Sequence, residues 1–128
     1  MVYMFDKTLA YSLVSLIGEN LNTILKRTEM IQSPYDFTVS ESGMILLDST
    51  CMKLVAIGES IKNLDKVTNK ELLCQYPKIQ WKQAMGMRDI IVHHYFDVDS
   101  EQIFKTLKED IPLLLTVFTE IKKDLKNK

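Results

Sequence analysis

What this sequence has little of narrows its class before any motif is found. Its only cysteines are Cys51 and Cys74, with no C-x-x-C and no Cys/His zinc spacing. Neither a disulfide framework nor a zinc site is spelled out, which leaves two reduced thiols with Cys51 on a core face. Three prolines and four glycines in 128 residues are too few for a sandwich or barrel, which needs turn residues roughly every ten positions. No run of about eighteen apolar residues is present to span a bilayer. Asp6 and Lys7 precede the first apolar stretch, unlike the order in a signal peptide. A cytoplasmic protein with no membrane partner is the expectation. Charge of one sign is missing too: sixteen Lys and Arg oppose seventeen Asp and Glu, a net −1. That total gives no general reason to expect a polyanionic partner.

What is present is helical periodicity. Leu9, Leu13, Leu16, Ile17, Leu21, Ile24 and Leu25 form one stripe and predict a long amphipathic helix from about Phe5 to Ile31. Pro34 breaks it. Ser40 or Ser42 can cap a second helix carrying Leu47, Cys51, Leu54, Gly58 and Ile61, whose pattern stops around Asn63 to Asn69. Thr68 or Asn69 can cap a short helix ending before Pro77, and another helix runs from Lys78 or Trp81 to Tyr95. Phe104, Leu107, Ile111, Leu114, Phe118, Ile121 and Leu125 mark the last helix, with Ser100 as its cap and a kink expected at Pro112. Strand-like alternation is confined to Phe37-Thr38-Val39-Ser40. The expected fold is all-α: a single-domain antiparallel helical bundle over residues 1–128, with four main helices plus a short one.

The near-zero charge conceals a segregation. Between Lys66 and His94 five cations face two carboxylates, a local +3, whereas the flanking stretches Ser33–Asp65 and Tyr95–Asp110 each carry two cations against five carboxylates. The positive stretch holds both histidines, His93 and His94, and Arg88, one of two arginines. On a helix Arg88 and His93 are about 7.5 Å apart along the axis and about 140° around it, able to border one cleft. Asp89 and His93, four apart, share a face. Three readings stay open on spacing alone. Asp89 can simply orient His93 while Arg88 pairs with a nearby carboxylate. His93, His94, Asp97 and Asp99 can be tested as metal ligands, but adjacent histidines diverge by about 100° and no H-E-x-x-H is present. Finally, a guanidinium fork beside a near-neutral imidazole suits phosphate chemistry.

The wider text separates these readings. Arg88-x4-His93-x-Tyr95 lies in Tyr76-Pro77-Lys78-Ile79-Gln80-Trp81, Gly86-Met87-Arg88-Asp89 and His93-His94-Tyr95-Phe96-Asp97-Val98-Asp99, with Ile57-Gly58-Glu59 upstream. Together with Lys108-Glu109-Asp110-Ile111-Pro112-Leu113-Leu114, that string resembles the HepT-like branch of the HEPN superfamily over about Met44 to Leu115. The resemblance implies a small α-bundle acting as a metal-independent ribonuclease toxin, with no cofactor. It implies a homodimer whose two Arg/His motifs share one cleft. It further implies neutralisation by a minimal nucleotidyltransferase antitoxin, which transfers AMP to the motif tyrosine, here Tyr95. His94 stands where this family often has glutamate, and Asp97 where it often has glycine.

On that basis Arg88 and His93 are the expected catalytic pair. Asp89, Glu59 and His94 are supporting: Asp89 fixes the His93 tautomer or orients Arg88, Glu59 accepts from Arg88 or from a backbone cap, and His94 lines the cleft. Lys78 and Lys82, four apart, are candidates for RNA phosphate contact. Trp81 is expected to pack between helices, and Met85 and Met87 to lie in core or interface. The alternative is a non-catalytic helical module that binds a nucleotidyltransferase partner or a nucleotide.

Overall fold

The computed structural model describes residues 4–92 and 99–127, and among these every regular element is helical. Helix α1 (Lys7–Arg27) is followed by a 3-10 turn, Pro34–Phe37, and then by the longest helix, α2 (Glu41–Val67). A second 3-10 turn, Leu73–Gln75, leads to two short helices, α3 (Trp81–Met85) and α4 (Met87–Val92). Helix α5 (Ser100–Lys105), a π-helical turn (Thr106–Asp110) and α6 (Ile111–Asn127) then run on from one another. Helix α1 packs against both α6 and α2, and α2 in turn carries α3 and α4.

Local chemistry sets the boundaries. Asp6 caps α1 by accepting from the Leu9 amide at 3.0 Å, so the helix starts just beyond the expected Phe5. Its buried face is Ala10, Val14, Ile17, Leu21 and Ile24, rotated from the expected stripe: Leu9 and Leu16 are 43% and 52% exposed. Small Ala10 and Val14 suit close approach of two flanking helices, whereas larger leucines there would hold them apart. Ser40 caps α2, its hydroxyl accepting from the Gly43 amide at 3.0 Å.

Helix α2 passes Asn63 and ends within the expected stretch of Asn63 to Asn69. Ile61 and Leu64 are wholly buried, and that burial carries the helix through polar residues that would not sustain it alone. It ends four residues later in a Schellman turn. Asn69 takes the left-handed conformation with φ 55°, while the Lys70 amide donates back to the Asp65 carbonyl at 2.9 Å and the Asn69 amide to the Lys66 carbonyl at 3.1 Å. Thr68 therefore closes α2 instead of opening a helix, and the expected short helix is only the 3-10 turn Leu73–Gln75. At the other end of the chain Asp99, not Ser100, caps α5, accepting from the Glu101 and Gln102 amides. The expected disturbance at Pro112 takes the form of the π turn just before it. There the Ile111 amide donates to the Thr106 carbonyl, five residues back. Pro112 has no N–H for the carbonyl four residues earlier, and the widened turn accommodates its ring.

The segment before α3 is tied to α6. The Tyr76 hydroxyl donates to Asp124 at 2.6 Å, the Trp81 indole N–H donates to the Tyr76 carbonyl at 2.9 Å, and Trp81 meets Phe118 edge to face with centroids 5.7 Å apart. Met87 is buried and Met85 packs against the same core. Cys51 is buried and Cys74 exposed, both as free thiols. Burial, with a smaller contribution from the Asp48 charge, pushes the Cys51 thiol from its ordinary 9.0 to about 11, so it stays protonated and inert at neutral pH.

Gly58 sets how closely α3 and α4 approach α2. A Cβ there would lie 3.2 Å from the Ala84 carbonyl oxygen, 3.4 Å from Met87 Cβ and 3.5 Å from the Met85 carbonyl oxygen. Alanine would gain about 1 kcal/mol in helix propensity but incur about 1–3 kcal/mol of overpacking, because the nearest obstruction is backbone. Gly58→Ala is expected to lower stability by about 1 kcal/mol net, read from the urea midpoint at constant slope; an unchanged midpoint would show that α3 can simply move away.

Candidate active site

Helix α3 ends at Gly86, whose amide donates to the carbonyls of Lys82 and Gln83 at 3.1 Å each. The helix expected to run unbroken from Trp81 is therefore interrupted here, and α4 starts afresh at Met87. The Asp89 amide donates to the Gly86 carbonyl at 2.9 Å across the break. With Met87 turned into the core, the next residue, Arg88, projects outward. Its Nη1 donates to Glu59 Oε1 at 3.4 Å, with the two side chains 58% and 43% exposed. Glu59 follows Gly58, so the glycine contact and the ion pair are successive steps along the same helix junction.

An ion pair this exposed and this long contributes less than about 1 kcal/mol to stability. It restricts the guanidinium without consuming it. Among the described residues four of its five N–H donors have no partner, and such a fork suits an oxyanion. Of the expected site residues, Arg88 and Glu59 are brought together. Asp89 is exposed on α4. His93, His94, Tyr95 and Asp97 lie outside the described residues.

Arg88 lines neither of the two described grooves, and of Lys78 and Lys82 only Lys78 lines one. Lys78 lines a groove of about 440 Å³ on another side of α3, together with Gln83, Met87, Gln102, Lys105 and Asp110. The Asp110 carboxyl there is raised above its ordinary value by burial and by the Glu109 charge, with Lys105 opposing. Lys82 is exposed. A larger groove, about 760 Å³, opens beside Glu59 and is lined by Lys62, Asn63, Asp65, Lys66, Lys70 and Met85, among others. Lys62 is not among the site residues expected from the sequence; the four-residue spacing Lys62, Lys66, Lys70 is the signal that finds it. Among the described residues no group of three His, Cys, Asp or Glu side chains is placed to hold a metal ion, and no described helix is long and apolar enough to cross a membrane.

Fold and site together define an all-helical protein that presents a guanidinium on a locally basic edge. Residues 15–121 match the family model described as Ribonuclease HepT-like, and the chain belongs to this HepT-like family of the HEPN superfamily. It is 37% identical over 112 residues to a Methanocaldococcus jannaschii protein provisionally named an RNase, with 88% of this chain and 86% of that one covered. A second protein of that organism, named a gamma-glutamylcyclotransferase and provisionally an RNase, is 35% identical over 118 residues, 84% of this chain and 50% of its own length. A Thermococcus cleftensis protein named "Probable ribonuclease HepT" is 39% identical over 70 residues, 55% of this chain and 60% of its own. The chain thus spans between half and two thirds of the length of several curated relatives. No solved structure matches it.

If the Arg88–Glu59 pair orients a side chain instead of holding the fold, Glu59→Gln will change the unfolding free energy by less than about 1 kcal/mol. Urea denaturation measures this. A loss of several kcal/mol would make the pair a structural clamp.

Proposed function

We propose that this chain is an endoribonuclease toxin that cleaves RNA by attack of the 2′-hydroxyl on the adjacent phosphate. The observation that carries the reading is Arg88. It is exposed, lightly held by Glu59, and followed at the family's spacing by His93 and Tyr95 within the segment that matches a ribonuclease family. Relatives named for ribonuclease activity support the same reading.

The chemistry follows from the groups. RNA carries its own nucleophile, so no metal-activated water is needed. One imidazole, His93, removes the 2′-hydroxyl proton as the 2′ oxygen bonds to phosphorus. The bond from phosphorus to the 5′ oxygen breaks, and a second His93, supplied by the other protomer of a homodimer, protonates the leaving oxygen. Arg88 donates to the non-bridging oxygens as their charge grows. Asp89 holds the His93 tautomer, Glu59 keeps Arg88 aimed until substrate arrives, and His94 lines the cleft. Lys78 and Lys82 contact phosphates away from the scissile bond. The products are a 2′,3′-cyclic phosphate and a 5′-hydroxyl. In the cytoplasm a nucleotidyltransferase antitoxin silences the toxin: the Tyr95 hydroxyl attacks the α-phosphorus of ATP, pyrophosphate leaves, and the attached AMP blocks the cleft.

Purified protein in EDTA is expected to cleave RNA, and Arg88→Ala and His93→Ala to lose roughly 10²–10⁴-fold in rate. Sequencing of the ends and growth arrest on expression provide the readouts. Undiminished cleavage by His93→Ala would overturn the mechanism, and an inert wild-type protein that still binds a nucleotidyltransferase would make it a binding module.

Incubation with ATP and a cognate minimal nucleotidyltransferase is expected to add mass in AMP increments to wild-type protein and none to Tyr95→Phe. Modification of Tyr95→Phe to the same extent would place the acceptor on another residue.

A further inference from the structure

The last turns of α2 carry a set of charges that neither the fold nor the reaction uses. Lys62 and Lys66 are four residues apart on one helix face, about 6 Å along the axis. Lys70 comes four residues later, beyond the helix end, and the Schellman turn folds it back toward them: its φ is 61° and its amide reaches the Asp65 carbonyl. All three lysines are exposed and line the one groove of about 760 Å³ that Glu59 borders. None of them has an ion-pair partner among the described residues. Of the two carboxylates in the groove wall, Asp65 and Glu59, the second is already engaged by Arg88.

A role at the helix terminus accounts for only part of this. Lys66 and Lys70 complement the negative end of the α2 dipole, which acts over about one turn, whereas Lys62 lies further back. What the three share is a regular spacing along a groove bordered by Glu59, the ion-pair partner of Arg88. Asn63, Asn69 and Met85 complete its lining with amides and one polarisable thioether, groups that suit bases without demanding a particular one.

We propose that this groove is a track for the sugar–phosphate backbone of single-stranded RNA, running from Arg88 along Lys62 and Lys66 to Lys70. The inference rests on the ribonuclease reading and extends it to nucleotides beyond the scissile phosphate. One lysine per helical turn matches the phosphate repeat of an extended strand far better than it matches the scattered carboxylates of a protein surface. The track supplies affinity without sequence selection, because its contacts are to phosphate.

The test compares Lys62→Gln/Lys66→Gln/Lys70→Gln with wild type on an unstructured oligonucleotide of about twelve nucleotides and on a dinucleotide. On the long substrate KM is expected to rise about tenfold, with the loss in KM and not in kcat. The dependence of log affinity on log salt, measured with His93→Ala protein as the inactive binder, is expected to become shallower by about 2, at about 0.7 per phosphate contact. The dinucleotide, too short to reach the track, shows no such rise. Lys62→Arg/Lys66→Arg/Lys70→Arg retains wild-type KM, and removing three charges elsewhere, at Lys122, Lys123 and Lys126, has no effect. An active wild type whose glutamine triple keeps both KM and salt slope overturns the track and leaves the ribonuclease standing. A glutamine triple that binds RNA normally but loses a nucleotidyltransferase partner assigns the groove to protein and also overturns it. A wild type that neither binds nor cleaves RNA removes both proposals together.

Discussion

The approach of α3 and α4 to the backbone of α2 at Gly58 is the contact on which the candidate site depends. Main-chain oxygens of Ala84 and Met85 lie where any larger residue would project its side chain. Because Met87 fills the space beside that glycine, the residue after it must point away from the core. Because Glu59 follows the glycine, a carboxylate stands where the guanidinium emerges. One missing methyl group thus fixes the spacing between two helices and, with it, the reach of a five-donor side chain. The ties from Tyr76 to Asp124 and from Trp81 to Phe118 brace the other end of α3 against α6, so the short helix is held at both ends.

The energetic balance at Arg88 follows from exposure. A buried partner would bind the guanidinium more firmly and make its release costly, since breaking a desolvated pair leaves an uncompensated charge. An exposed carboxylate at 3.4 Å orients the side chain for little free energy and can be exchanged for a phosphate oxygen, which accepts the same fork with two charge-assisted bonds. The arrangement is therefore positioned before substrate arrives yet not committed to an internal partner. That combination is what an oxyanion-binding group requires, because orientation is supplied in advance and little has to be broken.

Much of this was legible in the sequence, and the failures have physical causes. The helical class, the buried Cys51 and the packing of Trp81 follow from local pattern, whereas Ser40 over Ser42 as the cap, and Arg88 over a backbone amide as the partner of Glu59, are choices that only the structure makes. Ile17, Leu21 and Ile24 of the expected α1 stripe are buried, whereas at its start the contact with α6 and α2 selects the smaller Ala10 and Val14 and leaves Leu9 and Leu16 exposed. Helix α2 ends at Val67, inside the stretch Asn63 to Asn69 that the pattern marks; its exact end is not legible, because Lys62, Asn63, Asp65 and Lys66 are polar while Leu64 among them is wholly buried. That is tertiary burial overriding propensity, invisible to a window of composition. The break at Gly86 and the π turn before Pro112 likewise depend on what the neighbouring helices demand. Of the site, Arg88 with Glu59 is placed by the described residues. Lys78 lines the smaller groove and Lys82 is exposed on α3.

The net charge of −1 bears on function only through its distribution. Charges on a protein surface are screened over about 8 Å at physiological salt, which is far less than the breadth of this bundle. Carboxylates at Glu41 or Glu109 therefore do little to the potential at Lys66, whereas Asp65 and Glu59 act on it directly. In that groove the three cations Lys62, Lys66 and Lys70 outnumber the two carboxylates, one of which, Glu59, is paired with Arg88. A polyanion approaching from solution meets the acidic remainder first as weak, screened repulsion, and the basic edge as local attraction that strengthens with contact. Segregated charge of this kind orients an incoming strand, admitting it on one side and disfavouring it on the others. On the proposed ribonuclease reading, a uniformly basic chain of the same size would bind more RNA in more ways, and would align less of it with Arg88.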